Sequence, residues 1–112
     1  MASNDVFDAL GDPTRRRILG LLTQRGPSTA TTLGAELGIS RQAAAKHLDQ
    51  LRDAGLTSAA RSGRETRHEV VPVRLEQAAA WLDARAREWE GRAERIRRAV
   101  EQRAARETDS SG

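Results

Sequence analysis

The sequence predicts a mainly α-helical chain with one small two-stranded β-hairpin, in the order α-α-α-α-β-β-α. Three observations predict it. Apolar residues recur at helical spacing through most of the chain, ending in a long unbroken series from Leu75. Two short runs, 56–61 and 66–71, read as strands around Ser62-Gly63. Aromatic residues are nearly absent (Phe7, Trp81 and Trp89), so Leu, Ile, Val and Ala must build the core, and Leu and Ala favour helix.

The elements follow in order. Val6, Phe7 and Leu10 make a short apolar stripe, read as a first helix over 3–10. Asp12-Pro13 starts the second helix, with Asp as N-cap and Pro at the first helical position. Ile18, Leu19 and Leu22 share its inner face; it ends near Gln24, before Gly26-Pro27 breaks the chain. A third helix spans about 30–37, capped by Ser28 or Thr29, with Leu33 and Leu37 inward. In Gly38-Ile39-Ser40, the glycine suits a left-handed helix end, Ile39 can plug the corner, and Ser40 caps the next helix. That fourth helix runs about 41–54, buries Leu48 and Leu51, and ends at Gly55. Pro72 is expected to stop the second strand.

From Leu75 to about Arg106, apolar residues fall at Leu75, Ala79, Leu82, Ala86, Trp89, Ala93, Ile96 and Val100, in alternating steps of four and three. That is a heptad seam. Asp83/Arg87, Glu88/Arg92 and Glu94/Arg98 are acid-before-base pairs four apart, each worth about 0.2–0.5 kcal/mol. The expected organisation is one domain over 1–107 and a disordered tail over 108–112.

Composition narrows the function classes. A chain of 112 residues holds one modest core, without space for a roomy enzyme pocket beside it. No run of about 20 apolar residues is present to span a membrane. The opening Met-Ala-Ser-Asn-Asp lacks the basic start and apolar stretch of a secretory signal, so a soluble cytoplasmic chain is expected. With no cysteine, disulfides, thiolate metal sites and thiol redox sensing are excluded for this chain. Net charge is only +3, while arginine lifts the pI to about 10.8; Lys46 is the only lysine. A small net charge makes no strong field, so the position of the charge must decide.

In two places basic residues stand with little or no acid beside them. Residues 32–51 follow a helix–glycine turn–helix plan, which brings the N-terminal half of the second helix to the surface. Arg41, Gln42, Ala43, Lys46 and His47 are outward there, and no acid occurs between Ser40 and Leu48. Gln42 can pair with adenine, Ala43 can pack on a thymine methyl, and Lys46 or Arg41 can reach guanine or phosphate. Ser40 and the N–H groups at the helix start can hold a phosphate. The hairpin adds Arg61, Arg64 and Arg67, with Glu65 opposing at its tip, a basic wing for DNA backbone or minor groove. A basic helix alone is usually only a solvated face; basic charge on helix and hairpin together points to double-stranded DNA and a winged helix-turn-helix. His47 has no acid or nucleophile marked as a partner, and no nucleophile–base set or phosphate loop is present, so no enzyme and no cofactor are expected.

The seam has a bland reading, packing on its own domain. About 30 helical residues nevertheless span roughly 45 Å and outrun so small a body. A second copy covering Phe7, Leu10, Leu82, Trp89 and Ile96 is the economical alternative.

The run Ala9-Leu10-Gly11-Asp12-Pro13-Thr14-Arg15-Arg16-Arg17-Ile18-Leu19 resembles the opening signature of the ArsR (ArsR/SmtB) family of regulators. Lys46-His47-Leu48, then Leu51-Arg52-Asp53-Ala54-Gly55-Leu56, resembles that family's recognition helix and its exit; Ser62-Gly63-Arg64 is similar to its wing. The resemblance covers about residues 5–100. It implies a homodimer joined by the first and last helices, binding imperfect inverted repeats, usually as a repressor. Ser40, Arg41, Gln42, Ala43, Lys46 and His47 match its DNA-reading segment, while Ala44 and Ala45 stand where the family often has a larger residue and a serine. The chain departs from the family's metal sensors: residues 30–37 carry no thiol, and no histidine follows His68. It more closely resembles the metal-free branch, and no metal site is expected.

Two alternatives stay open at this point. One is a winged-helix interaction module that binds protein rather than DNA. The other is an activator working with a partner protein. An effector, if there is one, is not legible in the residues.

Overall fold

The structure, a computed structural model, describes residues 2–110 and the side chains of residues 6–107. Seven elements follow in order: α1 (Ala2–Leu10), α2 (Pro13–Arg25), α3 (Ala30–Leu37), α4 (Arg41–Asp53), β1 (Thr57–Ser62), β2 (Glu65–Val70) and α5 (Pro72–Ser110). They fall into two compact units, Met1–Ala78 and Ala79–Gly112.

The first unit is organised around aliphatic side chains. Ile18, Leu33, Leu48, Leu51 and Leu56 are fully buried, one or more from α2, α3, α4 and the α4–β1 junction. Val6, Ala9, Leu19, Leu22, Ala54 and Ala78 complete the cluster, with Phe7, Leu10, Leu37, Val70 and Leu75 packed against it half-buried. Burying one such leucine contributes about 1.5–3 kcal/mol. The only phenylalanine lies at the margin, so the core is closed by branched aliphatics.

Each helix of this unit has a chemical start or stop. The Asp12 carboxylate accepts the N–H groups of Thr14 (2.7 Å) and Arg15 (3.2 Å), and Pro13 opens α2. Thr29 caps α3, its Oγ1 accepting from the Thr32 N–H at 3.1 Å. Ser28 is thereby free to bind elsewhere. Its backbone exchanges two hydrogen bonds with His68 (3.0 and 2.8 Å) and ties the hairpin to the α2–α3 loop. At the α3–α4 corner Gly38 takes φ 69°, ψ 31°, a left-handed conformation that lets the Ile39 N–H return to the Gly34 carbonyl at 3.0 Å. Gly34 is required for a different reason. A Cβ there would lie 2.9 Å from the Ile39 carbonyl oxygen and 3.3 Å from that of Ser40, both backbone atoms that cannot swing aside.

The hairpin is antiparallel, from Thr57 opposite Val70 to Ser62 opposite Glu65. Each strand lies one residue off its expected position. Leu56 precedes β1 because its N–H closes the exit of α4 onto the Leu51 carbonyl (2.9 Å), while its own carbonyl accepts from Val71 (2.9 Å). Pro72 ends the strand as expected but also opens α5, three residues before the expected start. A proline at the first helical position lacks only a donor that the helix would leave unbonded.

In the second unit α5 continues to Ser110, into the stretch expected as a tail. Nothing between Gly91 and Ser110 breaks a helix, and Arg103 pairs with Glu107 one turn on at 3.7 Å. Positions 111 and 112 of that expected tail lie outside the described residues. The ion pairs on this helix are partly those expected. Asp83–Arg87 (3.0 Å) and Glu94–Arg98 (3.2 Å) form, but Glu88 pairs with Arg85 at 2.9 Å, and Arg92 lies over the Trp89 ring at 5.9 Å.

Candidate nucleic-acid interface

α4 begins at Ser40, whose extended backbone and Oγ, accepting from the Ala43 N–H at 3.0 Å, make it the N-cap. Its hydroxyl is therefore committed to the helix. Ala44, Leu48 and Leu51 turn inward and are fully buried. A helix advances about 100° per residue, so the side opposite carries Gln42 and Lys46, while Arg41 stands about 100° round from Gln42, at the other edge of the exposed surface. All three are exposed, and Ala43 is half-buried. The full burial of Ala44 accounts for its size: a larger side chain would have to displace the α4 packing.

The acid-free stretch has a sharp end. Asp49 and Asp53 are exposed on the same side one and two turns after Lys46, and Asp49 pairs with Arg52 at 3.3 Å. Only the N-terminal half of the helix thus offers uncompensated donors. His47 stands at the edge of this face. It is half-buried, and its Nδ1 is enclosed without a hydrogen-bond partner. Its charge reaches the Asp12 carboxylate at the start of α2. Burial pushes the Asp12 pKa up, but the N–H groups of Arg15 and Thr14 and the charges of Arg15 and His47 outweigh that and hold it below the usual 3.8.

The hairpin turns on two residues, Gly63 and Arg64, with the positive φ (65°) at the first, as a type II′ turn requires. Arg61, Arg64 and Arg67 are all exposed. Their environments differ. Register puts Arg67 on the face shared with Glu65 and Glu69, and Arg67 pairs with Glu65 at 3.4 Å. Arg61 lies on the other face, with Thr57 and His68, and its Nε donates to the Gly63 carbonyl at 3.4 Å. Arg64, Arg41 and Lys46 make no ion pair among the described residues. An open groove of about 580 Å3, between the start of α3, α4 and the hairpin, brings Arg41, Arg52 and Arg64 to one concavity, with Asp49 and Glu65 also on its walls.

Sequence reasoning missed two features of this region. Thr29–Thr32 and Arg52 line the groove. His68 is nine-tenths buried at the root of the hairpin with its Nδ1 unpartnered. Burial first, then the charge of Arg52, lower its pKa below 6.5, and Asp49 offsets this only in part, so it is neutral at neutral pH. Alternation in Thr66-His68-Val70 was the available signal.

The residues expected at a dimer seam divide. Phe7 and Leu10 are half-buried against the core of the first unit. Leu82, Trp89 and Ile96, in the second unit, are 53%, 64% and 54% exposed. No group of three or more His, Cys, Asp or Glu side chains among the described residues is placed to hold a metal ion. None of the described helices is long and apolar enough to cross a membrane.

A family profile described as a helix-turn-helix domain matches residues 10–58, the span from the end of α1 to the start of β1. The chain is 34% identical over 79 residues to the transcriptional repressor SdpR of Bacillus subtilis, covering 70% of this chain and 87% of that protein. It is similar in structure to an ArsR-like transcriptional regulator from Rhodococcus sp. RHA1 (TM-score 0.79, 37% identity, 90% of this chain and 92% of the other). It is also similar to the homodimeric winged helix-turn-helix DNA-binding domain of a possible ArsR-family regulator from Mycobacterium bovis (TM-score 0.63, 25% identity, 78% and 80%). The same order of helices, corner and hairpin, on a chain whose opening and recognition-helix residues carry the matching signature, places it plainly: this protein belongs to the ArsR family of helix-turn-helix transcriptional regulators.

Proposed function

We propose that the chain is a cytoplasmic repressor, without enzymatic activity, that binds an inverted-repeat operator in double-stranded DNA as a homodimer. One observation carries the reading: Arg41, Gln42 and Lys46 are exposed on the first turns of α4, which contain no acid, and Arg41 shares a groove with Arg64 of the hairpin. Gln42 and Lys46 read base edges with Arg41, Ala43 packs on a thymine methyl, and the Ser40 end of α4 meets a phosphate through backbone N–H groups. Arg61, Arg64 and Arg67 follow the backbone, Arg67 least because Glu65 already compensates it. His47, being half-buried, positions α4 more than it reads sequence. Repression is supported by the similarity to SdpR, described as a transcriptional repressor. It works by occupying the site polymerase needs.

The homodimer is supported by the Mycobacterium domain and by the make-up of α5. Along the seam Ala79, Ala86 and Ala93 alternate with Leu82, Trp89 and Ile96. A parallel pair would stack alanine on alanine and tryptophan on tryptophan. An antiparallel pair centred between Arg87 and Glu88 sets Ala86 on Trp89, Leu82 on Ala93 and Ala79 on Ile96 of a second copy, so each layer holds one small and one large side chain. Residues 1–107 then act as one DNA-binding and dimerisation domain, and a ligand or partner protein that changes the spacing of the two α4 helices would change affinity.

Fluorescence anisotropy on a duplex selected from a random pool, against a scrambled duplex and across a salt series, tests this. Selective binding that falls steeply with salt is expected. Arg41→Ala with Lys46→Ala should abolish selectivity and weaken binding by at least about tenfold, with the dimer intact. Unchanged binding in that variant, or none by the native chain at low salt, would replace this reading with a protein-interaction module.

A further inference from the structure

Arg15 makes more contacts than helix capping needs. The last carbonyls of α1 have no partner within that helix. Arg16 supplies one, donating to Leu10 O at 2.7 Å, and Arg15 supplies two more, its Nε to Ala9 O at 2.7 Å and its Nη2 to Asp8 O at 3.1 Å. The remaining nitrogen, Nη1, donates to Oε1 of Gln50, 35 residues away on α4. Arg15 is also held from its own helix: its side chain lies 3.7 Å from the Asp12 carboxylate that caps α2, and the charge of His47 on α4 acts on that same carboxylate.

Gln50 lies one turn after Lys46, on the side of α4 that carries Gln42 and Lys46. Beside the contact is a cleft of about 350 Å3 bounded by Asp8, Ala9, Gln50, Asp53 and Ala54, so apolar packing does not fill the α1–α4 seam there. Inside, α4 rests on Ala44, Leu48 and Leu51. Apolar contact is non-directional and tolerates a small rotation of the helix about its axis. A planar guanidinium held on three sides does not.

We propose that Arg15 is a positioning residue for DNA binding: it ties the end of α1 to Gln50 and so sets the rotation of α4 that presents Gln42 and Lys46. This rests on the DNA-binding reading above and deepens it. It also gives a route by which a disturbance at α1 reaches the recognition face without passing through the core.

The test uses the full chain and the selected duplex. Arg15→Lys keeps the charge and loses the fork; Gln50→Ala removes the acceptor at an exposed helical position and provides a second variant if the first folds poorly. Each should weaken selective binding about tenfold, and Gln50→Ala should do so with the thermal midpoint and dimer mass near native values. The double variant should be no weaker than the worse single one, because both remove one contact. Additive losses would mean that Gln50 touches DNA on its own account and would overturn the tether. So would native affinity in Gln50→Ala. A native chain that binds no duplex overturns both readings; native binding with unaffected variants overturns this one alone.

Discussion

The unit ending at Ala78 and the unit beginning at Ala79 carry the same sequence signal with opposite outcomes. Both have apolar residues at helical spacing. In the first, Ile18, Leu33, Leu48, Leu51 and Leu56 are wholly enclosed by their own chain. In the second, Leu82, Trp89, Ile96 and Val100 stand more than half exposed. Periodicity therefore reports that a face will be covered, and does not report by what. The first unit has several short elements whose faces converge; the second is a single helix, and one helix cannot enclose its own stripe.

The sharpest way to break the comparison is to hollow out the covered side. Leu48→Ala removes a fully buried side chain where α4 meets the core. A loss of about 3 kcal/mol is expected, in the range for leucine deletions. Chemical denaturation reads it, and a loss below about 1 kcal/mol would show a core loose enough to collapse around the gap.

On the uncovered side the same kind of truncation should leave the fold alone and act on assembly. Trp89→Ala should weaken the dimer by about 2 kcal/mol, roughly thirtyfold, as a buried interface tryptophan does. Ala86→Trp should weaken it too, by crowding. The two combined should restore association if small and large residues face each other across the seam. Sedimentation equilibrium separates the cases: a double variant weaker than both singles would rule out mixed layers.

The smallest effect belongs to His68, where covering is polar and incomplete. Its pKa in the folded chain is lowered, mainly by burial. Well above pH 6.5 the unfolded and folded chains carry the same neutral ring and its contribution is fully present. As pH falls below 6.5 the unfolded chain takes up a proton that the folded one refuses, so stability declines until the folded pKa is passed. Asp12, lowered from 3.8, acts the same way only in more acid solution. Denaturation midpoints between about pH 7.5 and 5.5 should fall for the native chain and fall less for His68→Gln. A midpoint that rises on acidification would contradict the assignment.

Much of the candidate site was legible because its signals are local. Ser40 as N-cap, Gly38 as helix end and the acid-free Arg41–His47 stretch each depend on neighbours within a turn. Less legible was the inequality among the arginines. Arg64 makes no ion pair among the described residues, Arg67 is compensated by Glu65, and Arg15 reaches Gln50, differences set by strand register and by residues distant in the chain. His47 looked outward on the helix and is half-buried, because α4 packs against elements from parts of the sequence that helical spacing does not encode.

The sequence by itself determined the order of elements, the helix starts and stops and the apolar faces, since these follow from backbone chemistry and spacing over a few residues. Tertiary structure decided what each face meets. It placed Ser28 on His68 instead of on a helix cap, denied Gly34 a side chain where the α3–α4 corner folds back, and turned a family-like Arg-Arg pair into the end of one helix and a grip on another. Those outcomes depend on groups brought within about 3 Å of each other from remote positions, where directional hydrogen bonds and hard-sphere contacts act and periodicity is silent.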